Sequence, residues 1–105
     1  MEITRKDGKS STRISLTGEL TIYHAADAKP RLLDDQRPWP ASVQLDLAGI
    51  SELDTAGVQL LLMLHKSVTA AGSKLKLQQT SVAARQVFET LGLPPPFTAA
   101  AGASA

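Results

Sequence analysis

The stretch VQLDLAGISELDTAGVQLLLMLHK, residues 43–66, changes its hydrophobic period once, and that change constrains what the chain can become. Val43, Leu45 and Leu47 alternate with Gln44 and Asp46, the period of a strand with one buried face. From Thr55 onward the apolar residues recur at helical spacing instead. On a wheel of about 100° per residue, Val58, Leu60, Leu61, Leu62, Leu64, His65 and Val68 fill one broad arc. Thr55, Gln59, Met63 and Lys66 share the other side. A strand therefore delivers the chain through ISELD to a helix predicted over 55–71, with Gly72 as its left-handed stop.

The flanking segments extend this pattern. EITRKDGKSSTRISLTGEL predicts two strands around an Asp7-Gly8 turn, the second ended by Gly18. ELTIYHAADAKPRLLDD predicts a helix with Thr21 as a candidate cap and Ile22, Ala25, Ala26, Leu32 and Leu33 as its apolar positions. Pro30 removes a donor and crowds the preceding turn, so this helix is expected to kink or to start late. QRPWPAS is a loop with two prolines around Trp39, and KLKLQQ alternates with Leu75 and Leu77 on one face. SVAARQVFETLGL predicts a last helix capped by Ser81, with Val82, Val87, Phe88 and Leu91 as its apolar side and Gly92 as its stop. The order β-β-α-β-α-β-α, with connections long enough for parallel crossovers, predicts an α/β domain: a small mixed sheet of about four strands with helices packed on it. One domain is expected over residues 1–93, and residues 94–105 (PPPFTAAAGASA) read as a Pro/Ala-rich tail, disordered over the final eight.

Several function classes are disfavoured. The chain of 105 residues contains no Cys, which removes disulfides and thiolate chemistry. The run VQLLLMLH is far too short to span a bilayer, and the N-terminus has no apolar stretch like a signal peptide. A cytoplasmic protein without membrane insertion is the expectation. Eleven basic and ten acidic residues give a formal charge of +1, and aromatics make up 4%, a poor basis for binding nucleic acid. His24 and His65 are the two histidines, and neither has another His four residues away, so no metal site is expected. His65 falls in the apolar arc and is expected to be packed and hydrogen-bonded; His24 is expected at the surface. There is no G-x-S-x-G elbow, and AAGSKLK runs from helix to strand, the wrong order for a phosphate loop. Neither catalysis nor a cofactor is expected.

Thr55 stands where a strand's C-terminal end meets a helix N-terminus. First-turn amides lack internal partners and carry partial positive charge, so they favour an anion. Asp54 and Thr55 are both candidates to cap them. A phosphate on Thr55 would be held by the same amides, and beside Asp54 and Glu52 it would make the patch strongly negative. Spacing alone leaves a simple capping pair and a modified hydroxyl both open. Met63 on the outward side either covers a neighbouring helix or belongs to a docking patch, and Ile22 and Tyr23 pose the same choice.

The segments LTGELTIYHA, VQLDLAGISELDTAGVQLLL and AARQVFETLGL together resemble the STAS family, the domain of anti-sigma factor antagonists, over roughly residues 2–93. That resemblance implies a phosphoacceptor directly after the motif's Asp. In Asp54, Thr55, Ala56 and Gly57 the implied acceptor is Thr55. The implied partner surface comprises those four residues and the GEL turn, Gly18, Glu19, Leu20 and Thr21. Ile22, Tyr23, Gln59 and Met63 extend it as adjoining outward positions. The implied partners are an anti-sigma factor or Ser/Thr kinase, a phosphatase that resets the switch, or a chemotaxis-type signalling protein. Serine is the usual acceptor in sigma-regulating members, and threonine is common in STAS proteins with other roles. One such role, the accessory subunit of a phospholipid-transporting ABC ATPase complex, is the alternative. Nucleotide binding has been proposed for some STAS domains.

Overall fold

In the computed structural model, which describes residues 1–33, 38–94, 96 and 97, the Asp7-Gly8 turn joins β1 (Glu2–Asp7) to β2 (Ser11–Leu20) as an antiparallel hairpin. The Gly8 amide closes the turn on the Ser11 carbonyl at 2.7 Å. The chain continues as α1 (Ile22–Leu32), β3 (Ser42–Leu53), α2 (Thr55–Ala70), β4 (Lys74–Thr80) and α3 (Val82–Leu91). The sheet order is β1-β2-β3-β4, and β2, β3 and β4 run parallel. This is the mixed four-stranded α/β arrangement expected from the alternating periods.

Period-two alternation sorts the strands' side chains onto two faces. Thr12, Ile14 and Leu16 of β2 and Val43, Leu45 and Leu47 of β3 are buried, and register aligns them with Leu75 and Leu77 of β4. Ala28 and Leu32 of α1, Leu60, Leu61, Leu64 and Val68 of α2, and Ala84 and Phe88 of α3 join the same core cluster. All three helices thus cover one face. The other face presents Thr4, Lys6, Arg13, Gln44 and Lys76, and is left bare.

The structure corrects the sequence reading in five places. Gly18 does not end β2, which continues to Leu20; its φ of +111° and the register shift before Glu19 mark a bulge. Helix α1 does not start late but begins at Ile22, and one helix runs through Pro30 to Leu32. Pro30 and Ala26, whose carbonyl loses its partner, are both exposed, so the missing bond falls on the solvent side. Val82 and Leu91 are not part of α3's buried side: they are 71% and 49% exposed, while Ala84 and Phe88 carry the contact. His65 packs edge-to-face on Phe97 at 5.9 Å, without a hydrogen-bond partner for its ring among the described residues. His24 is half-buried near the start of α1.

Phe97 folds back after α3, is 5% exposed, and also meets the Phe88 ring at 5.2 Å. The final eight residues, 98–105, for which disorder was expected, lie outside the described residues. Trp39 donates to Ser67 Oγ at 3.1 Å and lies under the Arg5 guanidinium at 4.7 Å. That stack fastens the loop before β3 to the sheet edge and to α2.

Candidate functional site

Because β2 and β3 are parallel neighbours with Leu20 opposite Leu53, their two strand-to-helix junctions lie side by side. The Asp54 amide reaches the Leu20 carbonyl at 3.4 Å, drawing the junctions together. Asp54 is the N-cap of α2: its Oδ1 accepts from the Gly57 amide at 3.0 Å. Its Oδ2 accepts from the Ile22 amide, the first of α1, at 2.8 Å. One carboxylate therefore holds the starts of two helices. Burial alone would raise its pKa, but the amides of Gly57, Ile22 and Ala56 and its own amide together hold it below the ordinary carboxylate value.

Gly57 makes this closeness possible. A Cβ on it would run into the Leu20 carbonyl oxygen and lie 2.8 Å from Leu53 Cδ1. The small residue of the DTAG sequence is thus required by packing of α2's first turn against the end of β2. Thr21, the expected cap of α1, makes no side-chain capping bond, and its Oγ1 is buried without a partner among the described residues. Asp54 supplies that function from 32 residues away.

Thr55 is exposed as the first residue of α2, and no hydrogen bond holds its hydroxyl among the described residues. It borders a groove of about 300 Å³ lined by Leu53, Asp54, Gln86, Val87, Thr90 and Leu91. On the α1 side, Ile22 is 67% and Tyr23 87% exposed. Along α2, Gln59 and Met63 continue the exposed stripe from Thr55. Glu19 and Glu52 face each other across β2 and β3, both exposed, so the junction is already acidic.

Of the twelve residues expected at a partner surface, Ile22, Tyr23, Thr55, Gln59, Met63 and Glu19 are exposed here. Leu20, Thr21 and Gly57 are buried and shape the junction from beneath; Gly18, Asp54 and Ala56 are half-buried. Of the first-turn amides of α2, Asp54 already takes that of Gly57, and across the junction it takes the Ile22 amide of α1. The groove wall from α3 was missed by the sequence reading. Its signal was present in Val87 and Leu91, which that reading assigned to the core. Among the described residues no cluster of His, Asp and Glu suits a metal ion, and no helix is long and apolar enough to cross a membrane.

A family model described as "Mlab, STAS domain" matches residues 3–94. Among solved structures, the chain is similar to the anti-sigma factor antagonist SpoIIAA in its unphosphorylated form, at 22% identity and a TM-score of 0.73, over 90% of this chain and 84% of that one. An anti-sigma factor antagonist from Mycobacterium paratuberculosis is similar at 17% identity and a TM-score of 0.71, over 97% and 92% of the two chains. The Bacillus cell fate determinant SpoIIAA in its phosphorylated form is similar at 20% identity and a TM-score of 0.66, over 90% and 86%. At these identities the likeness concerns the fold. No curated protein matches the chain.

Proposed function

The chain belongs to the STAS domain family, and from that premise we propose that it is a non-enzymatic, protein-binding regulator switched by phosphorylation of Thr55. Unmodified, the junction formed by Ile22, Tyr23, Thr55, Gln59 and Met63 grips a partner, an anti-sigma factor, a Ser/Thr kinase or a chemotaxis-type signalling protein. The kinase phosphorylates Thr55 and releases the complex; a phosphatase resets it. The observation that carries this reading is the division of labour at the junction. Asp54 does the capping, which leaves the Thr55 hydroxyl exposed beside apolar Ile22, Tyr23 and the groove of Leu53, Val87 and Leu91.

The electrostatics favour release. A phosphate on Thr55 finds the Gly57 and Ile22 amides already taken by Asp54, and it adds to the negative charge of Glu19, Glu52 and Asp54. Burying that charge against an apolar partner costs several kcal/mol, enough to weaken a complex about a hundredfold.

A second reading keeps the surface and drops the switch: a constitutive accessory subunit of a phospholipid-transporting ABC ATPase complex. It is favoured by threonine at the acceptor position and by a junction that Asp54 already orders without modification. Intact-mass spectrometry of the protein from its own cells separates the two. A species about 80 Da heavier, mapped by fragmentation to Thr55, is expected for the switch. A single unmodified mass across growth conditions refutes it and leaves the constitutive subunit. With the partner in hand, Thr55→Glu is expected to abolish binding in either case, whereas Thr55→Val locks the switch on.

A further inference from the structure

On the bare face of the sheet, Lys6 of β1 stands directly opposite Arg13 of β2, and Thr4 directly opposite Ser15. These four side chains line a recess of about 210 Å³. Like charges directly opposite each other across a strand pair are destabilising, so this pairing costs stability unless an anion lies between them. Arg13 has a partial answer in Asp46, whose Oδ2 lies 2.9 Å from its Nη2. Asp46 is itself committed, since its Oδ1 accepts the Ala48 amide at 2.9 Å. Among the described residues Lys6 makes no ion pair. The row continues through Gln44 to Lys76, so three cations lie along one line across the four strands.

We propose that the recess between Lys6 and Arg13 binds a phosphate group, with Thr4 and Ser15 as hydroxyl donors. Adjacent strands lie about 4.8 Å apart, so one tetrahedral anion can offer an oxygen to each cation. Phosphate suits the donor set because two cations and two hydroxyls can all donate to its oxygens and none of them must accept. Among the described residues no aromatic side chain lines the recess, so recognition rests on the phosphate itself and not on a stacked base. The group is either free phosphate or the head group of an anionic phospholipid. The site does not depend on the Thr55 junction, since it lies on the face that the helices leave uncovered.

The test titrates the full chain with inorganic phosphate, following backbone amide shifts by NMR, against chloride at matched ionic strength. In parallel the chain is sedimented with vesicles of phosphatidylglycerol or of phosphatidylcholine alone. Lys6→Gln is compared with Lys29→Gln, an exposed position on α1. Phosphate is expected to move the amides of Thr4, Lys6, Arg13 and Ser15, and Lys6→Gln to weaken the effect about tenfold, the loss of one charge-assisted contact. Binding to phosphatidylglycerol vesicles that Lys6→Gln weakens and Lys29→Gln does not identifies the lipid head group as the source. Phosphate binding without vesicle binding identifies free phosphate. The proposal is overturned if chloride gives the same shifts, if both variants lose binding alike, or if neither probe binds.

Discussion

Replacing Asp54 separates two contributions that one carboxylate makes. A lost N-cap bond costs about 1 kcal/mol, and a lost hydrogen bond to a charged acceptor about 1.5–3 kcal/mol where it is well buried. Asp54 is half-buried, so Asp54→Ala, which removes both bonds, is expected to cost about 2–3 kcal/mol. Asp54→Asn keeps a single acceptor oxygen and can hold only one of the two helix starts. It is expected to lose about half as much. Urea unfolding reads both values from the midpoint at constant slope, and heating reads them as about 4–8 °C per kcal/mol for a domain of this size. pH provides an independent check. The folded-state pKa lies below the unfolded one, so the carboxylate's contribution is complete at neutral pH and fades as pH falls below about 4. The gap between the parent and Asp54→Asn should therefore narrow in acid. If Asn and Ala destabilise equally, or if Ala costs less than about 0.5 kcal/mol, the double cap contributes little and the reasoning fails.

Other substitutions probe the same construction. Gly57→Ala places a methyl group against the Leu20 carbonyl and is expected to cost about 1–3 kcal/mol, measured by urea unfolding, despite alanine's better helix propensity. Thr21→Val removes a buried hydroxyl that has no partner among the described residues, so it is expected to raise stability by about 1 kcal/mol and the melting temperature with it. Phe97→Ala uncovers Phe88 and His65 and is expected to cost about 3 kcal/mol, with dye binding reporting the newly exposed apolar surface.

The elements were legible where a single local rule governs. Alternation placed β3 and β4, helical spacing gave α2 its buried arc, and Ser81 and Gly92 bound α3 as cap and left-handed stop. Reading failed where a residue obeys two rules at once. Gly18 looks like a terminator because it breaks the period, yet a bulge absorbs the break and the strand resumes. Val82 and Leu91 look like core because they are apolar, but α3 presents only a narrow stripe centred on Ala84 and Phe88. The junction was half-visible. DTAG marks a helix start, but Asp54's second bond joins residues 32 apart, and only the parallel pairing of β2 with β3 brings them together.

That long-range bond sets an order of events. Helix α1 has no acidic residue in its first turn and no capping bond from Thr21, so its own sequence does little to start it at Ile22. Its fastening residue leaves the ribosome 32 residues later, once β3 has been made. Short helices are marginal without tertiary support, so this segment waits during synthesis for the strand that follows it. Its first turn is fastened in the same closure that seats α2, so one carboxylate couples the two helix starts.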